Sequence, residues 1–149
     1  RREIKEDETL VYIHFSENGI PSAGILINGN LFKGKTNYAG EISKMPLDIE
    51  WNNALSNDSE KIIPAISKLI MSISSLINPH TFIINANFLD RIKLSRINKI
   101  CKDSLPNNLV PKMYISENFM KDYKSGLIMR ALQQLEPNIA LTKKKNYFE

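Results

Sequence analysis

The sequence predicts an α/β domain, and three stretches carry that prediction. Thr9 to Phe15 is a β-branched and aromatic run, the composition of a strand. Gly24 to Gly34 holds Asn28-Gly29 between two apolar runs, the two-residue signature of a hairpin, because both positions tolerate positive φ. Ile62, Ile66, Leu69, Ile73 and Leu76 then recur at three- and four-residue spacing, and Thr81 to Ile84 follows as a short apolar run. A hairpin, a helix and a further strand are the order of a layered α/β arrangement.

Both faces of the first strand carry bulk, which predicts a central strand covered on both sides. His14, with no second ligand at metal spacing, reads as a strand histidine. Ser16 to Ser22 is a loop. Ile25, Leu26 and Ile27 form the outgoing strand of the hairpin, and Leu31, Phe32 and Lys33 the return. Gly34 frees the backbone, and Ala39-Gly40-Glu41 brings a carboxylate to the mouth of the hairpin as a helix starts toward Met45. Most of the six glycines fall in or beside this region, as expected of a backbone shaped for a ligand or a tight corner. Pro46 to Ala54 reads as irregular.

Asn57-Asp58-Ser59-Glu60 opens a long helix, its polar side chains accepting from unpaired amides and its acids suiting the positive end of the dipole. Ile63, Ile70 and Ile77 widen the apolar stripe, Pro64 falls near the first turn, and Asn78-Pro79 ends the helix. Leu89 to Leu105 is a second helix with Leu89, Ile92, Ile97, Ile100 and Cys101 inward and a solvated basic face of Arg91, Lys93, Arg96 and Lys99. Leu109 to Ser116 is a strand that Pro111 places at an edge. Phe119 to Leu135 is the last helix, with Met120, Tyr123, Leu127, Ala131, Leu132 and Leu135 on one core- or partner-facing side. Gly126 inside it costs about 1 kcal/mol relative to alanine, and Pro137 ends it.

Of the 149 residues, 42% are hydrophobic and 24% charged, enough for one domain with a substantial core. No run approaches the roughly 18 apolar residues of a membrane span. The single cysteine, Cys101, excludes an internal disulfide and a multi-cysteine zinc site, and reads as a small core residue. The charged start, without a methionine or a signal peptide, leads to the expectation of a piece of a longer, cytoplasmic protein. A net charge of +4 is mild, and Lys143-Lys144-Lys145 reads as a solvated terminus rather than a nucleic-acid contact.

Ser16-Glu17-Asn18-Gly19-Ile20-Pro21-Ser22-Ala23-Gly24-Ile25, the Asn-Gly hairpin, and Tyr38-Ala39-Gly40-Glu41-Ile42-Ser43-Lys44-Met45 together resemble the ROK family of sugar kinases and sugar-responsive repressors. That family has a Gly-Ile-Gly-Ala-Gly-Ile loop, a hairpin, and a Gly-Glu-Ile-Gly-His-Met motif. The rest of the chain matches the family's carboxyl-terminal half in the order of its elements. The resemblance implies an RNase H-like (actin-like ATPase) half-domain, a β-hairpin sheet with three main helices. Residues 1–8 would then be a boundary segment from a missing amino-terminal part, 9–137 the α/β domain, and 138–149 a polar tail.

The resemblance also implies a sugar-binding role for Glu41, whose carboxylate can accept from adjacent hydroxyls; by itself it reads as an acid at a helix start. Lys44 replaces the motif histidine and is the second sugar-site candidate. Gly19 and Gly24 are what remains of the family's phosphate loop, into which Pro21 and Ser22 intrude. The cysteine cluster that binds zinc in many members has no counterpart, so no metal is expected. Asn85-Ala86-Asn87-Phe88 stands where the family has glycines that admit adenosine, so no nucleotide cofactor is expected either. The implied function is an effector-sensing and dimerisation domain of a sugar-responsive transcriptional regulator, not an enzyme. Its partners would be a sugar or sugar phosphate, a second copy, and DNA only through a missing helix-turn-helix, with no membrane. The alternative is half of a divergent sugar kinase that phosphorylates a hexose with ATP.

Overall fold

The computed structural model describes residues 8–126, which divide into two units, 8–117 and 118–126. Strands β1 (Leu10–Phe15), β2 (Pro21–Ile27), β3 (Asn30–Leu31), β4 (Thr81–Asn85) and β5 (Lys112–Ile115) form one mixed sheet in the order β3-β2-β1-β4-β5. The apolar run at Thr9 to Phe15 therefore occupies the centre, as its composition requires. It pairs antiparallel with β2 and parallel with β4.

Val11, Ile13 and Phe15 point to one face, level with Ile25 and Ala23 on one side and Phe82 and Ile84 on the other. Helices α2 (Ser59–Ile77) and α3 (Arg91–Ser104) supply Ile62, Ile63, Ile66, Leu69, Ile70, Ile97 and Cys101 to the same buried cluster. Full burial of such side chains contributes roughly 1.5–3 kcal/mol each, so this layer is the main source of stability. The other face is only half buried at Tyr12 and His14. It is polar: Tyr12 Oη donates to Ser116 Oγ at 3.1 Å, His14 Nδ1 meets Asn85 Oδ1 at 2.9 Å, and Asn85 Nδ2 donates to the Ser116 carbonyl at 2.9 Å.

The hairpin turns at Asn28 (φ 51°) and Gly29 (φ 72°), the two left-handed residues of a type I′ turn. Its limbs differ from the sequence reading. Strand β2 reaches back to Pro21, because a strand's first residue tolerates the missing amide, whereas β3 stops at Leu31. The expected helix start near Glu41 is a single 3-10 turn, Ile42–Lys44. A short helix α1 (Asn53–Asn57), capped by Asn52, precedes α2. Asp58 caps α2 by accepting from Glu60 N at 3.1 Å, and Asn78 ends it in the left-handed conformation. Pro64 lies in the second turn of α2, not the first.

Two expected core residues point outward. Ile92 is 75% exposed, because it lies five positions, about 140° of helix rotation, from the buried Ile97. Leu76 is 78% exposed, in the last turn of α2 beside a cavity described below. β5 is shorter than expected, since Asn107–Leu109 forms a 3-10 turn, but it is an edge strand of the described sheet, with Pro111 just before it.

In the second unit, residues 119–126 are helical. Asn118 Oδ1 accepts from Lys121 N at 2.9 Å, and Phe119 stacks on Tyr123 with ring centres 5.7 Å apart. The expected helix beyond residue 126, the tail from residue 138 with its lysines, and the segment 1–7 lie outside the described residues. No described helix is long and apolar enough to cross a membrane.

Candidate functional site

The Gly40-Glu41 turn is attached to the sheet by its backbone. Ala23 N donates to Gly40 O at 2.8 Å, filling the edge of β2 beyond the end of β3. Gly40 has φ 99°, and a Cβ there would overlap the Ala23 carbonyl, so the position demands glycine twice over. Ile42 is buried, and Met45 and Leu47 pack on the core, with Lys68 Nζ donating to Leu47 O at 2.6 Å. The segment is therefore clamped from both ends while Glu41 and Lys44 stay exposed. Lys44 N donates to Glu41 O at 3.0 Å, closing the turn. The described ion pairs lie elsewhere, on α2 and α3: Arg96–Glu60, Lys61–Asp58, Lys93–Asp90 and Lys99–Asp103. A carboxylate and an ammonium on one short, anchored turn present both an acceptor and a donor to a polyhydroxylated ligand.

The loop between β1 and β2 closes on itself. Ser16 N donates to Ile20 O at 3.0 Å, Gly19 N to Ser16 O at 2.9 Å, and Ile20 N to Ser16 Oγ at 3.2 Å. Pro21 has no amide to offer. Gly19 has φ 73°, and the space a Cβ would need is taken by Asn52 O and Ser56 Oγ, so this glycine seats the loop against α1. Gly24 lies within β2 opposite Tyr12, with no heavy atom within 4 Å of a Cβ position. The structure thus places Gly19 in a turn and Gly24 in a strand.

At the end of β4, Asn85 is held by His14 and Ser116. Phe88 packs edge-on to Phe15 with centres 5.2 Å apart, and Trp51 packs on the same ring at 5.8 Å. Burial pushes the Cys101 thiol up to about 11, which suits a packing role. Among the described residues no three of His, Cys, Asp and Glu converge to hold a metal ion.

Two concavities flank the turn segment. A groove of about 540 Å³ between residues 48–55 and α2 is lined by Asp48, Glu50, Asn52, Leu55, Lys61 and Lys68. A smaller apolar cavity of about 180 Å³ has Gly40 and Glu41 among its lining and Ile25, Ile42, Met45, Ile73 and Leu76 around it. The sequence singles out Glu41 but not this cavity, because the cavity's walls come from β2, the turn and the end of α2, and no local pattern links them. Asn52 falls in a stretch that reads as irregular in the sequence, and neither its capping of α1 nor its seating of Gly19 was legible there.

No protein-family model matches the chain, and no curated protein sequence matches it either. Its fold does match solved structures. A ROK family protein from Streptococcus pneumoniae, solved in complex with sucrose, superposes with a TM-score of 0.67 at 13% identity, over 89% of this chain and 61% of that one. A ROK hexokinase from Thermus thermophilus gives 0.56 at 11% identity, over 76% of this chain and 53% of that one. A ROK family transcriptional regulator, a homologue of the E. coli MLC protein, gives 0.52 at 18% identity, over 85% of this chain and 46% of that one. The likeness establishes the fold, and the chain spans 46–61% of the length of these relatives. A kinase and a regulator stand side by side among them.

Proposed function

We propose that this chain belongs to the ROK family as the RNase H-like (actin-like ATPase) carboxyl-terminal half of a sugar-responsive transcriptional regulator, sensing an effector and mediating dimerisation without ATP-dependent catalysis. The observation that carries this reading is the self-closed Ser16–Ile20 turn. A phosphate cradle needs free backbone amides and room for close approach. Here the amides of Ser16, Gly19 and Ile20 are engaged, Pro21 has none, and Gly19 is packed against Asn52. Phe88 on the Phe15 ring adds bulk where the family admits adenosine.

Glu41 is then the sugar contact, accepting from adjacent hydroxyls, with Lys44 as a donor beside it. Its ligand is a sugar or sugar phosphate, in keeping with the sucrose bound by one structural neighbour. DNA binding would fall to a helix-turn-helix outside this chain, and pairing with a second copy to the helix that begins at Phe119. The hexokinase among the neighbours keeps a divergent sugar kinase as the second reading.

Titrating the intact protein separately with magnesium–ATP and with hexoses and hexose 6-phosphates tests the proposal. Heat from a sugar and none from ATP is the expected result. Tight ATP binding, or ATP-dependent phosphorylation of a hexose, would replace it with the kinase reading.

A further inference from the structure

We propose that the ligand held at Glu41 is a sugar carrying an apolar substituent, an aryl or branched alkyl glycoside, with the substituent lodged in the cavity behind the turn. The inference rests on Glu41 as the sugar contact. Glu41 and Gly40 form part of the cavity's wall, and the rest is apolar: Ile25 from β2, Ile42 and Met45 from the turn, and Ile73 and Leu76 from α2. Its volume, about 180 Å³, is on the scale of one aromatic ring, and it opens to solvent at Leu76.

A bare hexose does not match these walls. Its hydroxyls would face aliphatic carbon and lose their hydrogen bonds to water without replacement. A glycoside divides along the same line as the site, with hydroxyls toward the carboxylate and the substituent toward the isoleucines. Leu76 gives the division a second sign. It continues the apolar stripe of α2, yet it is 78% exposed at this cavity, and an apolar group entering there would cover it.

The test compares matched ligands on the intact protein by titration calorimetry: free glucose, galactose, mannose and N-acetylglucosamine, each with its methyl and phenyl β-glycoside. One phenyl glycoside should bind at least about tenfold tighter than its methyl counterpart, as burial of a ring's apolar surface predicts. Leu76→Ser, on an exposed position that leaves folding intact, should shrink that ratio. Glu41→Gln should weaken both. Equal binding of methyl and phenyl forms overturns the inference and leaves Glu41 as a sugar contact. Phenyl selectivity that survives Leu76→Ser overturns the cavity as its cause. Binding of no sugar in any form overturns the inference together with the reading beneath it.

Discussion

The amide of Ala23 donates to the carbonyl of Gly40 at 2.8 Å, and the two backbones approach so closely that a Cβ on Gly40 would overlap the Ala23 carbonyl oxygen. This contact takes over the edge of β2 where β3 ends, and it sets Glu41 one residue from an anchored point. The exposed carboxylate thus stands on rigid backbone, which lowers the ordering cost of binding.

Gly40→Ala should be severely destabilising, by about 3 kcal/mol or more, because strain at positive φ adds to a backbone clash. Gly24→Ala should change stability by less than about 1 kcal/mol, since nothing lies within 4 Å of its Cβ position. Urea unfolding of the two variants measures the contrast. Similar losses would show that the Ala23–Gly40 contact is not what holds the turn.

Glu41→Gln keeps shape and removes charge at an exposed site. Thermal unfolding should be unchanged. Affinity for the sugar effector should fall roughly tenfold to a hundredfold, the range of a lost charged hydrogen bond of about 1.5–3 kcal/mol. Calorimetry reads the first outcome against the second, and an unaltered response to every effector removes the sensing role.

The start of α2 should carry part of the acid sensitivity. Lys61 beside Asp58 and the Arg96 guanidinium beside Glu60 hold both carboxyls below their ordinary values. The folded state therefore binds these protons less readily than the unfolded chain. The resulting stability is present above about pH 4, where the unfolded groups are ionised, and is lost as pH falls through the lower folded values. Both groups are solvent-exposed, so the effect is small and screened by salt. Glu60→Gln should flatten the acid limb of a stability-versus-pH curve at low ionic strength, and added salt should erase the difference.

Cys101 should resist thiol reagents in the native protein and react once the chain unfolds. Burial raises its thiol from 9.0 to about 11, leaving little thiolate at neutral pH. This contribution to stability is fully present below 9.0 and is lost as pH rises toward about 11. Stoichiometric labelling of the folded protein would contradict the packing role.

Much of this molecule was legible in the chain because the signals are local. The central strand follows from an unbroken β-branched run, the type I′ turn from Asn28-Gly29, and the end of α2 from Asn78-Pro79. Glu41 stood out through its motif. Two departures depended on what a distant segment supplies. Gly19 reads as a loop glycine until α1 brings the Asn52 carbonyl against it, and Leu76 reads as core until α2 leaves it at a cavity wall.

The sequence by itself determined the order of strands and helices, the hairpin, the caps of the long helix and the presence of a carboxylate after Gly40. These rest on periodicity and on backbone preferences that act over a few residues. Tertiary structure alone decided that Ser16, Gly19 and Ile20 of the β1–β2 loop spend their amides within the loop, that Gly40 is pinned to Ala23, and that an apolar cavity opens beside Glu41. Each of these joins groups well apart in the sequence or depends on the exact path of the backbone, and close packing, not local preference, selects among such contacts.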